Sequence, residues 1–483
     1  MYSVSKIDPA SFRDPSGFVF EYESGIYRCV DKKCQNDILE MEQIGFLKDL
    51  ESSGMTVSTR VIDSSEALFS KLSNVHNPAD GGFLVHGKIE FISYPSEWTV
   101  SMLIDAALLT LRIEDKLLER RYDLKDASAY NIQFSACRPI FIDIPSFEKL
   151  QHNVWMAYGQ FCRMFLFPAL LKLARGYDTK GYFLANMDGM DVVSAYKNLG
   201  RLRSLAPDAF IDVFLQKLVH KDGTATDRSK KLAEPNASVN PSVIRANIRR
   251  LISLFNRMYK RSINKSHWTT YEEIKSYKSD DERVKDEFIL DFLKTRKPER
   301  VLDLGCNTGR YSIVAAESGA DVVAVDSDHD CVDSIYRQIK GRKINLLPLW
   351  VDISNPSPGI GYMNVERRSF VDRANFNAVF ALALIHHLLV SSRIPLESIR
   401  DMFGKLTSKW LVVEFVPVED EMFQRLLSLR ENIYSHVTRV YFEKVFKEKS
   451  KKVMITSQLF ISTLTIKGNN YVFVCKLHNL ILC

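Results

Sequence analysis

The chain has 483 residues, 46% of them hydrophobic and 26% charged, which exceeds the size of one hydrophobic core and implies two or three domains. Its formal charge of +6, from 65 basic and 59 acidic residues, is too mild to indicate a nucleic-acid partner, and none is expected. No run approaches the roughly 20 consecutive apolar residues of a membrane span. The nearest, Met164–Ala174, is broken by Pro168 and carries Lys172. The first residues lack a basic start followed by an apolar run, so a cytoplasmic location is expected. Eight cysteines without a C-x-x-C pair read as reduced thiols in or near cores, Cys162 and Cys475 among them.

In the N-terminal half, Phe18–Val30 alternates apolar and polar residues around Ser24-Gly25 and predicts a hairpin. Leu84–Ile92 is a strand candidate, and Val100–Leu118 is helical in pattern. Ile132–Phe134 and Pro139–Asp143 predict two short strands around a Ser135–Arg138 turn, and Trp155–Ala174 one or two buried helices. His220–Pro241 is polar, poor in large apolar residues and punctuated by Pro235, Asn236 and Pro241, the marks of a linker. Beyond it Ile244, Ile248, Leu251, Phe255 and Met258 form one helical stripe. The basic runs Arg245–Arg261 and Lys447–Lys452 are read as solvated faces.

The C-terminal half alternates strands and helices. Strands are predicted at Val301–Leu304, Asp321–Val325, Asn345–Val351, Phe376–Ala383 and Trp410–Val416. Helices are predicted at Tyr311–Ser318, Cys331–Lys340 and Leu396–Leu406. Such alternation implies a mostly parallel, doubly wound sheet. Gln458–Ile466 and Tyr471–Lys476, joined by Lys467–Asn470, add a terminal antiparallel hairpin. The expected organisation is α/β: residues 1–219 an N-terminal α+β accessory domain, 220–262 a linker and connecting helix, and 263–483 a Rossmann-like domain.

The chemistry concentrates in Val301-Leu302-Asp303-Leu304-Gly305-Cys306-Asn307-Thr308-Gly309. A dinucleotide loop needs G-x-G-x-x-G to close on a pyrophosphate. Here the pattern is G-x-x-x-G, which suits a ligand with an adenosine end, an amino-acid end and no phosphate: S-adenosylmethionine. Gly305 and Gly309 let the backbone approach, with Cys306 and Asn307 lining the same turn, and the helix that follows offers free N–H groups to a carboxylate. Asp303 can face an ammonium. Asp326, at the end of the second strand, can accept from both ribose hydroxyls. Asp352 can accept from the adenine amine, and backbone around Ala381 would line the crevice. His386 and His387 follow the fourth strand, where one could act as general base for a hydroxyl acceptor. Glu414, and Tyr362, Glu366 and Arg367 between the third and fourth strands, are weaker acceptor-side candidates.

VLDLGCNTG, Asp326, Asp352 and the FALALIHHL run occur in order, and by these motifs the C-terminal half resembles the class I S-adenosylmethionine-dependent methyltransferases. The resemblance implies that fold, that donor and methyl transfer. In the N-terminal half, Asp126, Asn131 and Asp143 have the spacing of a phosphotransferase catalytic loop followed by a metal-binding aspartate. The stretch resembles a divergent kinase or aminoglycoside-phosphotransferase site, in which Asn131 and Asp143 would hold metal if the site were active. Leu124-Lys125 and Ile144-Pro145 depart from that family, no glycine-rich phosphate loop precedes them, and only Arg28 or Lys32 could stand in for its strand lysine.

Six further segments recur together: Ser11–Gly17, Tyr94–Trp98, Asp126–Asn131, Trp155–Cys162, Asn355–Pro358 and Glu414–Pro417. By these the whole chain resembles the NoeA family of rhizobial host-specific nodulation proteins. That implies a role in symbiosis and a Nod factor, saccharide or other small molecule as acceptor. A bifunctional kinase-like enzyme and a non-catalytic scaffold stay open as alternatives. Neither the acceptor atom nor the oligomeric state can be read from the sequence.

Overall fold

The computed structural model describes residues 5–219, 240–264, 280–428, 430–451, 462–465 and 471–476. It divides into two compact units. The first is Met1–Lys265 together with Gly359–Arg367, and the second is Ser266–Pro358 with Arg368–Cys483. Most of the segment read as a linker, and the Lys467–Asn470 turn, lie outside the described residues.

The first unit opens with an antiparallel sheet of β1 (Lys6–Ile7), β2 (Gly17–Tyr22), β3 (Gly25–Val30), β4 (Thr59–Val61) and β5 (Gly82–His86), in the order β1-β2-β3-β5-β4. The predicted hairpin is present, but its turn is Glu23-Ser24, with Tyr22 opposite Gly25. Both turn residues have positive φ, 46° and 68°, the primed geometry that matches strand twist. The strand predicted to run to Ile92 stops at His86, where its neighbours Ile26 and Thr59 end their pairing. Phe20, Tyr27, Ile62, Leu72 and Phe83 form the core beneath.

The helix Val100–Glu119 follows, with the Thr99 side chain accepting from Met102 N. It packs against the helix Pro241–Asn264, whose stripe Ile244, Ile248, Leu251, Phe255 and Met258 is fully buried. The basic run on that second helix is not merely solvated. Arg245 pairs with Asp115 and Glu119, Arg250 with Asp212, and Arg261 with Asp208, at 2.6–2.7 Å. These pairs pin the helix to its neighbours, which is why it belongs to the first unit.

β6 (Tyr122–Leu124) pairs with β9 (Phe147–Lys149), and β7 (Ile132–Ser135) with β8 (Arg138–Phe141). The buried segment predicted from Trp155 is helical from Tyr158 to Arg175, interrupted by a wide π turn over Cys162–Leu166. Pro168 lacks an N–H, and a widened turn just before it accommodates the missing bond.

The second unit is built on β10 (Arg300–Leu304), β11 (Asp321–Asp326), β12 (Leu346–Trp350), β13 (Phe376–Ala381), β14 (Thr407–Phe415), β15 (Ser462–Thr465) and β16 (Tyr471–Lys476). Their order is β12-β11-β10-β13-β14-β16-β15. The first five are parallel, while β16 runs antiparallel to both β14 and β15. This is the doubly wound sheet with a terminal antiparallel pair that the alternation predicts. Helices Arg310–Glu317, His329–Ile339 and Leu396–Leu406 connect the parallel strands. β10 is central, and Val301, Leu302 and Leu304 are buried, as a strand covered on both faces requires. The order reverses at β10 and β13, which opens a crevice at their carboxyl ends. Among the described residues, no helix is long and apolar enough to cross a membrane.

Candidate donor-binding site

The loop after β10 turns on three residues of positive φ: Gly305 at 67°, Asn307 at 48° and Gly309 at 80°. Glycine has no Cβ penalty there, and asparagine tolerates the left-handed region better than most residues. Space adds a second demand at Gly309, where a Cβ would lie 2.9 Å from Ile335 Cγ1. Gly305 N and Cys306 N both donate to Val325 O, at 2.9 and 3.0 Å. Gly309 N donates to Cys306 O at 2.8 Å and starts the helix Arg310–Glu317. The loop is therefore stitched to the end of β11.

Asp326 completes that stitching. One carboxylate oxygen accepts from Asn307 N at 2.8 Å, and the other accepts from Asp328 N at 2.9 Å. The next strand joins here too, because Val351 N donates to Asp326 O at 3.0 Å. Asp352 comes one residue later. Its Oδ1 accepts from Ser354 N and Oγ at 2.8 and 2.7 Å. Its Oδ2 carries no protein hydrogen bond among the described residues.

Asp303 lies under the loop, 3% exposed, and accepts from Ser312 Oγ at 2.5 Å. Burial pushes its carboxyl up to about 7, against the pull of the Ser312 bonds, and the charge of Asp326 adds to the rise. Cys306 is also buried. Burial, then the charges of Asp303 and Asp326, hold its thiol well above the usual range, so it remains protonated and is not a nucleophile.

On the other side of β10, Ala381 pairs in register with Leu304. The backbone then turns sharply at Ala383, φ 48°, whose N–H donates to Glu414 Oε2 at 2.8 Å. Lys285 Nζ donates to both oxygens of the same carboxylate, at 2.8 and 2.7 Å. Glu414 is 1% exposed. Its charge is committed to holding this turn, which removes it from the acceptor-side candidates. Sequence reasoning missed Lys285, which sits 129 residues before its partner on a helix with no motif.

The two histidines have different surroundings. His386 is buried, stacks on Phe423 with centroids 6.2 Å apart, and neither ring nitrogen has a hydrogen bond among the described residues. Burial, helped by charge on His387, drives its pKa down to about 4. His387 is exposed. Burial of part of its ring lowers its pKa, opposed by the negative charge of Asp326. Tyr362, Glu366 and Arg367 are grouped with the first unit. There Glu366 takes a two-point ion pair from Arg13 at 2.9 and 3.0 Å, and the Arg367 guanidinium lies 4.6 Å from the Tyr130 ring centroid.

In the first unit the kinase-like residues converge as their spacing suggests. Asn131 Nδ2 donates to Asp126 O at 3.3 Å, and Ile142 N, next to Asp143, donates to Asn131 O at 2.9 Å. Asp126 accepts from Gln160 Nε2 at 2.7 Å. Asp143 is bound by Arg28 of β3 at 2.6 Å, and the same guanidinium reaches Asp14 at 2.9 Å. Burial alone would lower the Arg28 pKa, but Asp143 and then Asp14 more than reverse it. Lys32 instead starts the following helix and faces solvent.

A family model described as a methyltransferase domain matches residues 277–449. The nodulation protein NoeA of Rhizobium meliloti (strain 1021) is 31% identical over 446 residues, 92% of each chain. Among solved structures, the N-methyltransferase NodS from Bradyrhizobium japonicum WM9, in complex with S-adenosyl-L-homocysteine, is 11% identical. The match covers 42% of this chain and 89% of NodS, with a TM-score of 0.30. The bifunctional kinase-methyltransferase WbdD is 13% identical over 43% of this chain and 41% of its own, with a TM-score of 0.29. By its identity to NoeA across nearly the whole length, the chain belongs to the NoeA family of nodulation proteins, and its second unit carries a methyltransferase domain.

Proposed function

We propose that this protein is an S-adenosylmethionine-dependent methyltransferase that acts in nodulation on a Nod factor, another saccharide or a small acceptor. Asp326 carries the proposal: a carboxylate at the end of the second parallel strand, bonded to the crest of a loop that turns at Gly305 and Gly309. A carboxylate offers about four acceptor positions. Asn307 N and Asp328 N use two, and two remain for a ribose diol. The open oxygen of Asp352 suits an adenine amine, and Asp303 supplies negative charge beneath the loop for a donor ammonium. These residues fit the donor.

The bound donor supplies a methyl group already activated by a sulfonium. The protein's task is then mainly alignment. The Gly305–Gly309 loop and Asp326 orient the donor, and the Ala381–Ala383 backbone, held by Glu414 and Lys285, forms the facing wall. His387 is the histidine able to take a proton from a hydroxyl acceptor. His386 is packed into the interior and supports the turn.

Calorimetry with S-adenosylmethionine and S-adenosylhomocysteine tests the proposal. Both should bind, and Asp326→Ala should weaken binding about 10- to 100-fold, the worth of one charge-assisted hydrogen bond. No binding by the unaltered protein at high micromolar concentration ends the enzyme reading. Binding untouched by Asp326→Ala refutes the site assignment.

The convergence of Asp126, Asn131 and Asp143 favours one second reading, a kinase-like activity in the first unit. Against it, Arg28 holds the Asp143 carboxylate that a metal would need, so the unit is better suited to an accessory role. Magnesium-dependent ATP binding by the protein would restore phosphotransfer, and its absence would remove it.

A further inference from the structure

The first unit contains a cleft of about 670 Å³ among whose lining residues are Arg163, Tyr182, Asn186, Asp188, Asp191 and Ser194. None of them belongs to the donor crevice or to the Asp126–Asp143 group. Its walls are fixed by the backbone. The turn after the helix Lys180–Ala185 closes with Gly189 N on Asn186 O at 3.1 Å and Met190 N on Arg163 O at 3.0 Å. Gly189 has φ 75°, and a Cβ there would lie 2.5 Å from Arg163 O, so the turn is seated tightly on the Cys162–Leu166 stretch. Asp191 then caps the helix Val192–Leu199, accepting from Val193 N and Ser194 N at 2.9 Å each.

A preformed turn leaves several polar groups unused. Among the described residues, the side chains of Tyr182, Asn186 and Asp188 have no protein hydrogen bond or ion pair. Arg163 Nε is buried and has no partner either. The free set is a carboxylate acceptor, an amide that donates and accepts, and a phenol with an aromatic face. Vicinal hydroxyls, which each donate and accept, match that mixture. The tyrosine ring offers a surface to the C–H face of a pyranose. Asp188 and Asp191 outweigh Arg163, and Arg13, which also feels the charge of Asp188, is already paired with Glu366, so an anionic ligand is disfavoured by like charge at close range.

We propose that this cleft binds a neutral or amino-bearing saccharide. The site lies within the first unit and is separate from the donor-binding residues. It rests on the methyl-transfer reading only for the use made of the sugar. The test is saturation-transfer NMR and calorimetry on the full chain, without donor. The probes are glucose- and glucosamine-based di- to tetrasaccharides, free or N-acetylated, with galacturonate oligomers as the anionic comparison.

At least one neutral or amino sugar should bind, and uronates should bind at least about tenfold more weakly. Asp188→Asn should weaken binding about 10- to 100-fold, the loss expected for a charged hydrogen bond, at an unchanged melting temperature. Tyr182→Ala should weaken it independently, which keeps the test open if one variant folds poorly. No saturation transfer from any sugar at millimolar concentration overturns the proposal, as does binding that both variants leave intact, or uronate binding as tight as neutral. S-adenosylhomocysteine binding by the same sample without sugar binding would overturn this inference alone. Sugar binding without donor binding would overturn the methyl-transfer reading alone.

Discussion

Replacing Asp303 by asparagine should stabilise the second unit at high pH and do little at low pH. The carboxyl is buried beneath the glycine loop, and burial raises its pKa from an ordinary 3.8 to about 7. The folded state therefore binds this proton more tightly than the unfolded chain. The stability tied to it is fully present below about pH 4, declines as the pH rises through 7, and is level beyond. Each pH unit inside the window is worth about 1.4 kcal/mol for one group, so the whole window amounts to something on the order of 4 kcal/mol. Asparagine retains the volume and an oxygen for Ser312 Oγ, and it does not ionise. Urea unfolding of both proteins at pH 5 and pH 8 measures the difference. The advantage of the variant should be about 3 kcal/mol larger at pH 8. An equal gap at both values would mean that Asp303 titrates like an exposed carboxyl, and the buried charge would have to be abandoned. The same group has a binding consequence. A donor ammonium near Asp303 favours its charged form, so at pH 7 donor binding should release up to about half a proton. Calorimetry in two buffers of different ionisation heat detects that release, and the asparagine variant should lack it.

Gly309→Ala combines a left-handed φ with a Cβ 2.9 Å from Ile335 and should cost about 1–3 kcal/mol of unfolding free energy; a loss near zero in a denaturant melt would show that the loop relaxes freely. Lys285→Met leaves the buried Glu414 carboxylate without its counter-charge and should cost about 3–5 kcal/mol. The double variant with Glu414→Gln removes that charge, keeps an oxygen for Ala383 N, and should recover much of the loss in the same melt. In the first unit, burial and then the charge of Asp123 hold the Glu114 carboxyl far above its usual range, and burial raises Asp123 to about 6. Both folded pKa values are raised, so the pair favours folding at low pH and opposes it as the pH climbs through 6. Glu114→Gln should therefore flatten the fall in calorimetric Tm between pH 5 and pH 8, and an unchanged slope would refute the shared buried charge.

The loop between the first two parallel strands was legible because its signals are local. Two glycines four residues apart, an apolar run before them and an aspartate closing the next strand are all specified within about 25 residues of chain, and backbone geometry alone brings Asn307 N to Asp326. The hairpin of β2 and β3 was legible in kind and misplaced by one residue. Gly25 drew the turn toward itself because glycine tolerates positive φ. The structure gives that conformation to Glu23 and Ser24 instead, and a Cβ on Gly25 would lie 2.5 Å from the Tyr27 hydroxyl. The π stretches over Cys162–Leu166 and His387–Ser391 left no trace, because one widened turn shifts an apolar stripe by less than the width of the stripe.

Long-range pairing is what a single sequence withholds, and here it decides which charged residues are available for chemistry. Glu414 and Glu366 both occupied positions from which a carboxylate could meet an acceptor. Each is neutralised by a cation far away in the chain, Lys285 at a separation of 129 and Arg13 at 353, and no local pattern marks either partner. His386 and His387 are adjacent and identical in sequence, yet the turn after β13 buries one ring and exposes the other. A side chain's suitability for catalysis depends on whether its charge or lone pair is already engaged. Motif spacing locates the crevice, but that engagement is set by the packing of distant elements, so the glycine loop and its closing aspartate could be read from sequence while the acceptor-side candidates had to be sorted by the fold.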